Sequence, residues 1–155
     1  MKSLMFRFMN WLAKKKAFQA RMPQFLRYGG WLFVALYQLG GVYALLLTTT
    51  GRKSGRQHTV IVVGPKLGQD YAIVTPFGPS GKYPDWYLNL KHNPKATIEI
   101  VWRKREVIAE EVLDEAERTS VLRRYGMGMM GLEGAQERAG KKFPIMRLRR
   151  RAKDS

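Results

Sequence analysis

The sequence predicts a mainly β domain with flanking helices, of α+β class, in which five or six antiparallel strands form a small barrel or a strongly curled sheet. Three observations carry that expectation. Short runs rich in β-branched residues recur between Val42 and Leu148, separated by glycine, proline and aspartate turn signals. Alternating βαβ units are absent, which disfavours a doubly wound sheet. Helical signatures gather at the flanks and in one insertion, and no internal repeat runs through the 155 residues.

Residues 1–28 read as a basic amphipathic extension. In "MKSLMFRFMNWLAKKK", Leu4, Phe8, Trp11 and Leu12 fall at the spacing of one helical face, and Lys14 to Lys16 close the segment. Two readings stay open: the apolar face packs on its own domain, or it lies on an anionic membrane surface. The stretch is too charged for a secretory signal, and no small-residue cleavage site follows it. Gly29 to Gly51 carries no formal charge and is long enough to raise a transmembrane span. Gly40 and Gly41 divide it into a helix-like piece, Trp31 to Leu39, and a strand-like piece, Val42 to Thr50, which removes the span.

The β pattern then continues through a domain expected over residues 29–150. A second strand is predicted over His58 to Val63 and a third over Tyr71 to Thr75, with "GPKLGQD" between them. Thr97 to Trp102 alternates Ile98, Ile100 and Trp102 against Thr97, Glu99 and Val101, and a further strand follows over Glu106 to Leu113. "DEAE" at Asp114 to Glu117 has capping-box spacing and opens a helix toward Tyr125. Phe143 to Leu148 reads as the last strand, and residues 151–155 as a basic tail. The insertion is "KYPDWYLNLKHNP": Pro84 suits a first helical turn, Pro94 ends the run, and Trp86, Asn89 and Leu90 share one face.

Composition bounds the function. Twenty-eight Lys and Arg against twelve Asp and Glu give a net charge of +16, concentrated at the two ends, which favours an anionic partner. The C-terminal "RLRRRAKDS" has no interleaved aromatics, so specific nucleic-acid recognition is not expected. The absence of cysteine excludes disulfides and thiolate metal sites and fits a cytoplasmic protein, peripheral on the inner face of the membrane if the N-terminal helix lies there. His58 and His92 are far apart with no carboxylates around them, so no metal site is expected. Neither a P-loop nor a GxGxxG spacing occurs, and no Ser-His-Asp or paired-carboxylate site is visible.

Two short stretches concentrate the chemistry. In "TTTGRKSGRQHTV" a strand feeds a glycine-flanked bend whose backbone N–H groups can form an anion nest, with Arg52 and Lys53 supplying charge for phosphate oxygens. The bland alternative is a solvated hairpin tip. On the inserted helix, the Trp86 indole and the Asn89 amide suit the edge of a planar heterocycle, or else are a buried Trp with a capping Asn.

"LLLTTTGRKSGR" followed about thirty residues later by "YPDWYLNLKHNP" resembles the deazaflavin (F420)-dependent nitroreductase family, over Leu36 to Val112. The resemblance implies a split β-barrel of the FMN-binding split-barrel-like kind. It also implies coenzyme F420, with FMN as the alternative, and hydride transfer from reduced deazaflavin to a quinone, nitroaromatic or activated alkene. A non-catalytic F420-binding protein is the rival reading. Carried over by residue, it puts Arg52, Lys53, Ser54 and Gly55 beside the cofactor phosphate, Arg56 and His58 nearby, and Trp86 and Asn89 close to the ring system. Where the family often has a Pro-Leu pair and a Ser-Lys-Gly-Gly-like stretch, this chain has Val60-Ile61 and Pro76-Phe77-Gly78-Pro79. Phe77 there replaces an anchoring charge with a ring that can stack.

Beyond Tyr125 runs "GMGMMGLEG", in which Met127, Met129 and Met130 either line a pocket or lid for a small lipophilic acceptor or belong to a connector. The proton for a reduced product is expected from Tyr125, His58 or water. Monomer and homodimer both remain open.

Overall fold

The computed structural model describes residues 41–75, 81–101, 103–128, 140 and 142–151. Six strands and two helices follow in the order β1 (Val42–Thr50), β2 (Gln57–Leu67), β3 (Asp70–Val74), α1 (Asp85–His92), β4 (Lys95–Ile100), β5 (Arg103–Glu111), α2 (Glu115–Gly128) and β6 (Ile145–Arg150). The strands close into a barrel, β1-β2-β3-β6-β5-β4, every neighbouring pair antiparallel, with β4 returning to β1 through Leu46↔Glu99 to Thr49↔Ala96. The expected β class and barrel are therefore present.

Strand alternation sorts the apolar residues into two cores. Leu45, Leu47, Val62, Tyr71, Ile73, Ile98, Val107, Ala109, Met146 and Leu148 meet in one cluster drawn from all six strands, joined by Tyr87 and Leu90 of α1. Alternate residues of β3 and β6, Ala72, Val74 and Ile145, instead pack against Val121 and Tyr125 of α2, with Val112 and Phe143 beside them. Each fully buried aliphatic side chain contributes about 1.5–3 kcal/mol. α2 starts as its sequence predicts: the Asp114 carboxylate accepts the Glu117 N–H at 2.8 Å. Its buried Arg118 donates to the carbonyls of Val112 (3.3 Å) and Phe143 (2.8 Å), tying the helix to the strand ends.

Several boundaries move. β2 runs on to Leu67, through Gly64 and Pro65, because β1 extends to Val42 and pairs it with Pro65. A Cβ at Gly64 would stand 1.7 Å from the Ala72 carbonyl oxygen, so the crossing of β2 and β3 requires a bare backbone there. β4 ends at Ile100, not Trp102: Ile100↔Arg103 closes a two-residue hairpin turn, with Val101 at φ 45°. β5 accordingly begins at Arg103, before the expected Glu106, and ends at Glu111, leaving Leu113 77% exposed. β6 begins at Ile145, beyond Phe143, and reaches Arg150. The N-terminal segment 1–28, the Trp31–Leu39 piece, Phe77 with its neighbours, Trp102, Met129, Met130 and the tail 152–155 lie outside the described residues.

Candidate functional site

At the end of β1 the chain leaves the barrel and must reverse within six residues to re-enter as β2. The reversal is closed by two backbone bonds. The Gly51 N–H donates to the Arg56 carbonyl at 2.7 Å, and the Gly55 N–H donates to the Gly51 carbonyl at 2.8 Å. Gly55 sits at φ 67°, a left-handed position that favours glycine. Gly51 is constrained by space: a Cβ would lie 2.7 Å from the Ser54 Oγ and 2.8 Å from the His58 Nε2. The Ser54 hydroxyl in turn accepts the Arg56 N–H at 3.3 Å and meets the His58 Nε2 at 3.3 Å.

α1 lies against this loop. Pro84, in extended conformation at φ −65° and ψ 150°, is the cap, and its carbonyl accepts the N–H groups of Tyr87 and Leu88. The helix sends Tyr87 and Leu90 into the barrel core and lays Trp86, half-buried, at the core's edge, its ring perpendicular to that of Tyr87 with centroids 6.4 Å apart. Asn89 is 4% exposed. Its Oδ1 accepts the Arg52 backbone N–H at 3.1 Å and the Arg52 Nη1 at 3.3 Å, while its Nδ2 donates to the Thr49 Oγ1 at 3.2 Å. The Arg52 Nη1 also donates to the Asp85 Oδ1 at 2.9 Å.

Between loop and helix opens a cleft of about 360 Å³, bounded by Thr49, the 51–54 bend, His58, Val60, Asp85, Trp86 and Asn89. Of the residues predicted from sequence, Arg52, Lys53, Ser54, His58, Trp86 and Asn89 converge on it. Gly55 and Arg56 do not line it; Gly55 makes the turn, and Arg56 is exposed beside it. Phe77 lies outside the described residues. Tyr125, the candidate proton donor, is 3% exposed in the α2 core and is not among the cleft residues.

The sequence reading missed Thr49, Gly51, Val60 and Asp85. Strand period offered Thr49, two residues beyond the buried Leu47, and Asp85 stands in the first helical turn next to Trp86. The anion nest needs correcting as well. Four of the loop amides are already satisfied within the protein, those of Gly51, Arg52, Gly55 and Arg56.

The arrangement suits one ligand shape. The lining combines Lys53, Ser54 and His58, which carry basic and hydroxyl groups, with the indole-bearing Trp86 and the aliphatic Val60. Charge-assisted contacts from the first group and stacking or edge contacts from the second suit an anion that carries a planar ring.

Residues 30–149 match the family described as F420H(2)-dependent quinone reductase. The F420H(2)-dependent quinone reductase of Mycobacterium tuberculosis strain H37Rv is 36% identical over 73 residues, 47% of this chain. The chain spans about half the length of the curated relatives it matches, 49% in that case. Among solved structures, an F420-H2 dependent reductase, FDR-A, superposes with a TM-score of 0.60 at 26% identity, covering 70% of this chain and 93% of its own. A second chain, described as a domain-swapped dimer, gives a TM-score of 0.61 at 25% identity, covering 70% and 79%.

Proposed function

The chain belongs to the F420H(2)-dependent quinone reductase family, and from that membership we propose that it reduces a quinone-type acceptor with F420H(2) held in the cleft between the 51–56 loop and α1. The observation that carries this reading is the meeting of two sequence-distant motifs: the Arg52 N–H lies 3.1 Å from the Asn89 Oδ1, across 37 residues. Lys53, Ser54 and His58 would hold the anionic tail, and Trp86 would border the ring system. The bare Gly51, whose Cβ would crowd Ser54 and His58, leaves room for those two side chains in the cleft wall.

The bound deazaflavin would supply two electrons as hydride, so the work left to this chain is binding, orientation and exclusion of water. Val60 and Trp86 are the apolar side chains of the cleft lining and would give an acceptor a surface on which to lie flat. The His58 imidazole is the cleft group that we assign to moving a proton; Tyr125, buried in the α2 core, is not among the cleft residues. Nitroaromatics and activated alkenes belong to the same acceptor class, since each accepts hydride at an electron-poor carbon or nitrogen.

We place the enzyme in the cytoplasm, its basic N-terminal segment against the anionic inner face of the membrane, where a lipophilic quinone is found. Among the described residues no helix is long and apolar enough to cross a membrane. Residues 1–28 act as the extension, 29–150 as the cofactor-binding domain and 151–155 as a basic tail. A second copy is the natural partner, in keeping with the solved relative described as a domain-swapped dimer.

Titration of the full chain with oxidised coenzyme F420 and, separately, with FMN, followed by tryptophan fluorescence, tests this reading. F420 is expected to quench and to saturate. Saturation by FMN alone would overturn the cofactor assignment, and F420 binding without quinone turnover would leave a binding protein rather than an enzyme.

A further inference from the structure

Arg52 and Asn89 look, by residue type, like two ligand-contacting groups, yet each is already engaged with the protein. The Asn89 carboxamide joins three elements at once: Nδ2 reaches Thr49 at the end of β1, and Oδ1 receives both the main chain and the side chain of Arg52, while its own backbone belongs to α1. The Arg52 guanidinium is turned to Asp85, with the Arg52 side chain 25% exposed and that of Asp85 86% exposed. An ion pair so exposed adds little stability. It fixes a direction instead, since Nη1, which donates to Asp85 and Asn89, cannot at the same time present those hydrogens to a ligand.

We propose that Asn89 is the positioning residue of the cationic loop and that Arg52 belongs to this clasp, leaving Lys53, Ser54 and His58 to meet the anion; this rests on the deazaflavin reading of the cleft. The acceptor that matters is Oδ1. Without it the Arg52 N–H, 3.1 Å away, loses its partner. The bend 51–56 then keeps its two backbone bonds and the Arg56 N–H to Ser54 contact, but its remaining bond to α1 is the exposed Arg52–Asp85 pair, too weak to fix its register. The cleft loses its geometry although no ligand contact has been removed. Aspartate at position 89 keeps the oxygen for Arg52 and gives up only the donation to Thr49, whose hydroxyl can rotate to donate instead.

The test compares the wild-type full chain with Asn89→Ala, Asn89→Asp and Lys53→Ala. Three quantities are read for each: hydrogen exchange at the Arg52 amide, affinity for oxidised F420 by tryptophan fluorescence, and the urea unfolding midpoint. Asn89→Ala is expected to speed Arg52 exchange and weaken F420 binding, each by about tenfold. Asn89→Asp is expected to restore both. Lys53→Ala should weaken binding while leaving Arg52 exchange at the wild-type rate. Equal F420 affinity in folded Asn89→Ala and wild type overturns the proposal. So does an Asn89→Asp variant that behaves like the alanine variant, the outcome of a merely space-filling role. If the alanine variant does not fold, slow Arg52 exchange and retained affinity in Asn89→Asp carry the proposal, and their loss overturns it. Wild type that binds no F420 defeats the cofactor reading instead, and the exchange rates still decide the clasp.

Discussion

At single positions, the decisive residues are those whose environment admits one side chain. Gly64 is the sharpest case. A methyl group there would be driven to 1.7 Å from the Ala72 carbonyl oxygen, a backbone atom that cannot turn aside. Gly64→Ala is therefore expected to cost about 3 kcal/mol or more, read as a lowered urea midpoint, whereas alanine at exposed Gly68, with open space around it, meets only the strain of φ 60°. A Gly64→Ala protein with the wild-type midpoint would mean that β2 and β3 do not cross so closely. Val101 shows the converse. It holds a left-handed φ of 45° that a β-branched residue adopts at a cost of about 1–2 kcal/mol. The alternation around it gave no hint of a turn, because Val and Trp are strand formers and carry none of the usual turn chemistry.

Among elements, α1 joins the barrel core to the surface through Tyr87. Burial first, and then the negative Glu111 within reach of its hydroxyl, raise the Tyr87 phenol above its usual value of 10.0. Lys91, hydrogen-bonded to the same carboxylate at 2.7 Å, is likewise raised above 10.5. For both groups the folded value lies above the unfolded one. Their stabilisation is thus complete below pH 10 and is lost as pH climbs through the folded values. Urea midpoints of the wild type should fall from about pH 10 upward, and Tyr87→Phe should flatten that fall; parallel curves would refute the linkage. The existence of α1 was legible in the sequence from Pro84, Pro94 and the spacing of Trp86, Asn89 and Leu90. What the helix does with those side chains was not, since Arg52 lies 33 residues from Asp85 and 37 from Asn89. Local patterns report faces and caps, whereas partners across such distances are set by the barrel. The same holds for the strands. β1 was readable to the residue because Gly41 precedes its apolar run, but β2 outran its apolar stretch because β1 supplied partners as far as Pro65.

Across the whole molecule, charge of both signs is arranged in order. On the face of β6 away from the barrel core, Arg147 meets Asp70 and Glu117, Arg149 meets Glu110, and Arg151 meets Glu106. This ladder uses four of the twelve acidic residues of the chain, and its pairs leave the net charge of +16 to the N-terminal segment and other surfaces. Removing residues 1–28 is expected to abolish sedimentation with anionic vesicles while F420 affinity changes by less than about twofold. Equal sedimentation of both forms would reject the segment as the membrane contact. The antiparallel β class and five or six strands were legible from pattern, and the barrel from the family resemblance, but pattern left barrel and curled sheet open, because the seam between β1 and β4 joins residues about fifty positions apart. A ring of strands has no first or last member, yet β2 meets β3 through Lys66↔Tyr71 and Leu67↔Asp70 alone, so among the described residues Gln57 to Pro65 pair with β1 on one side only. Two copies of this chain can share side-chain surfaces or trade a whole segment, and the outer side of β2 is the length of backbone that a neighbouring strand would have to take.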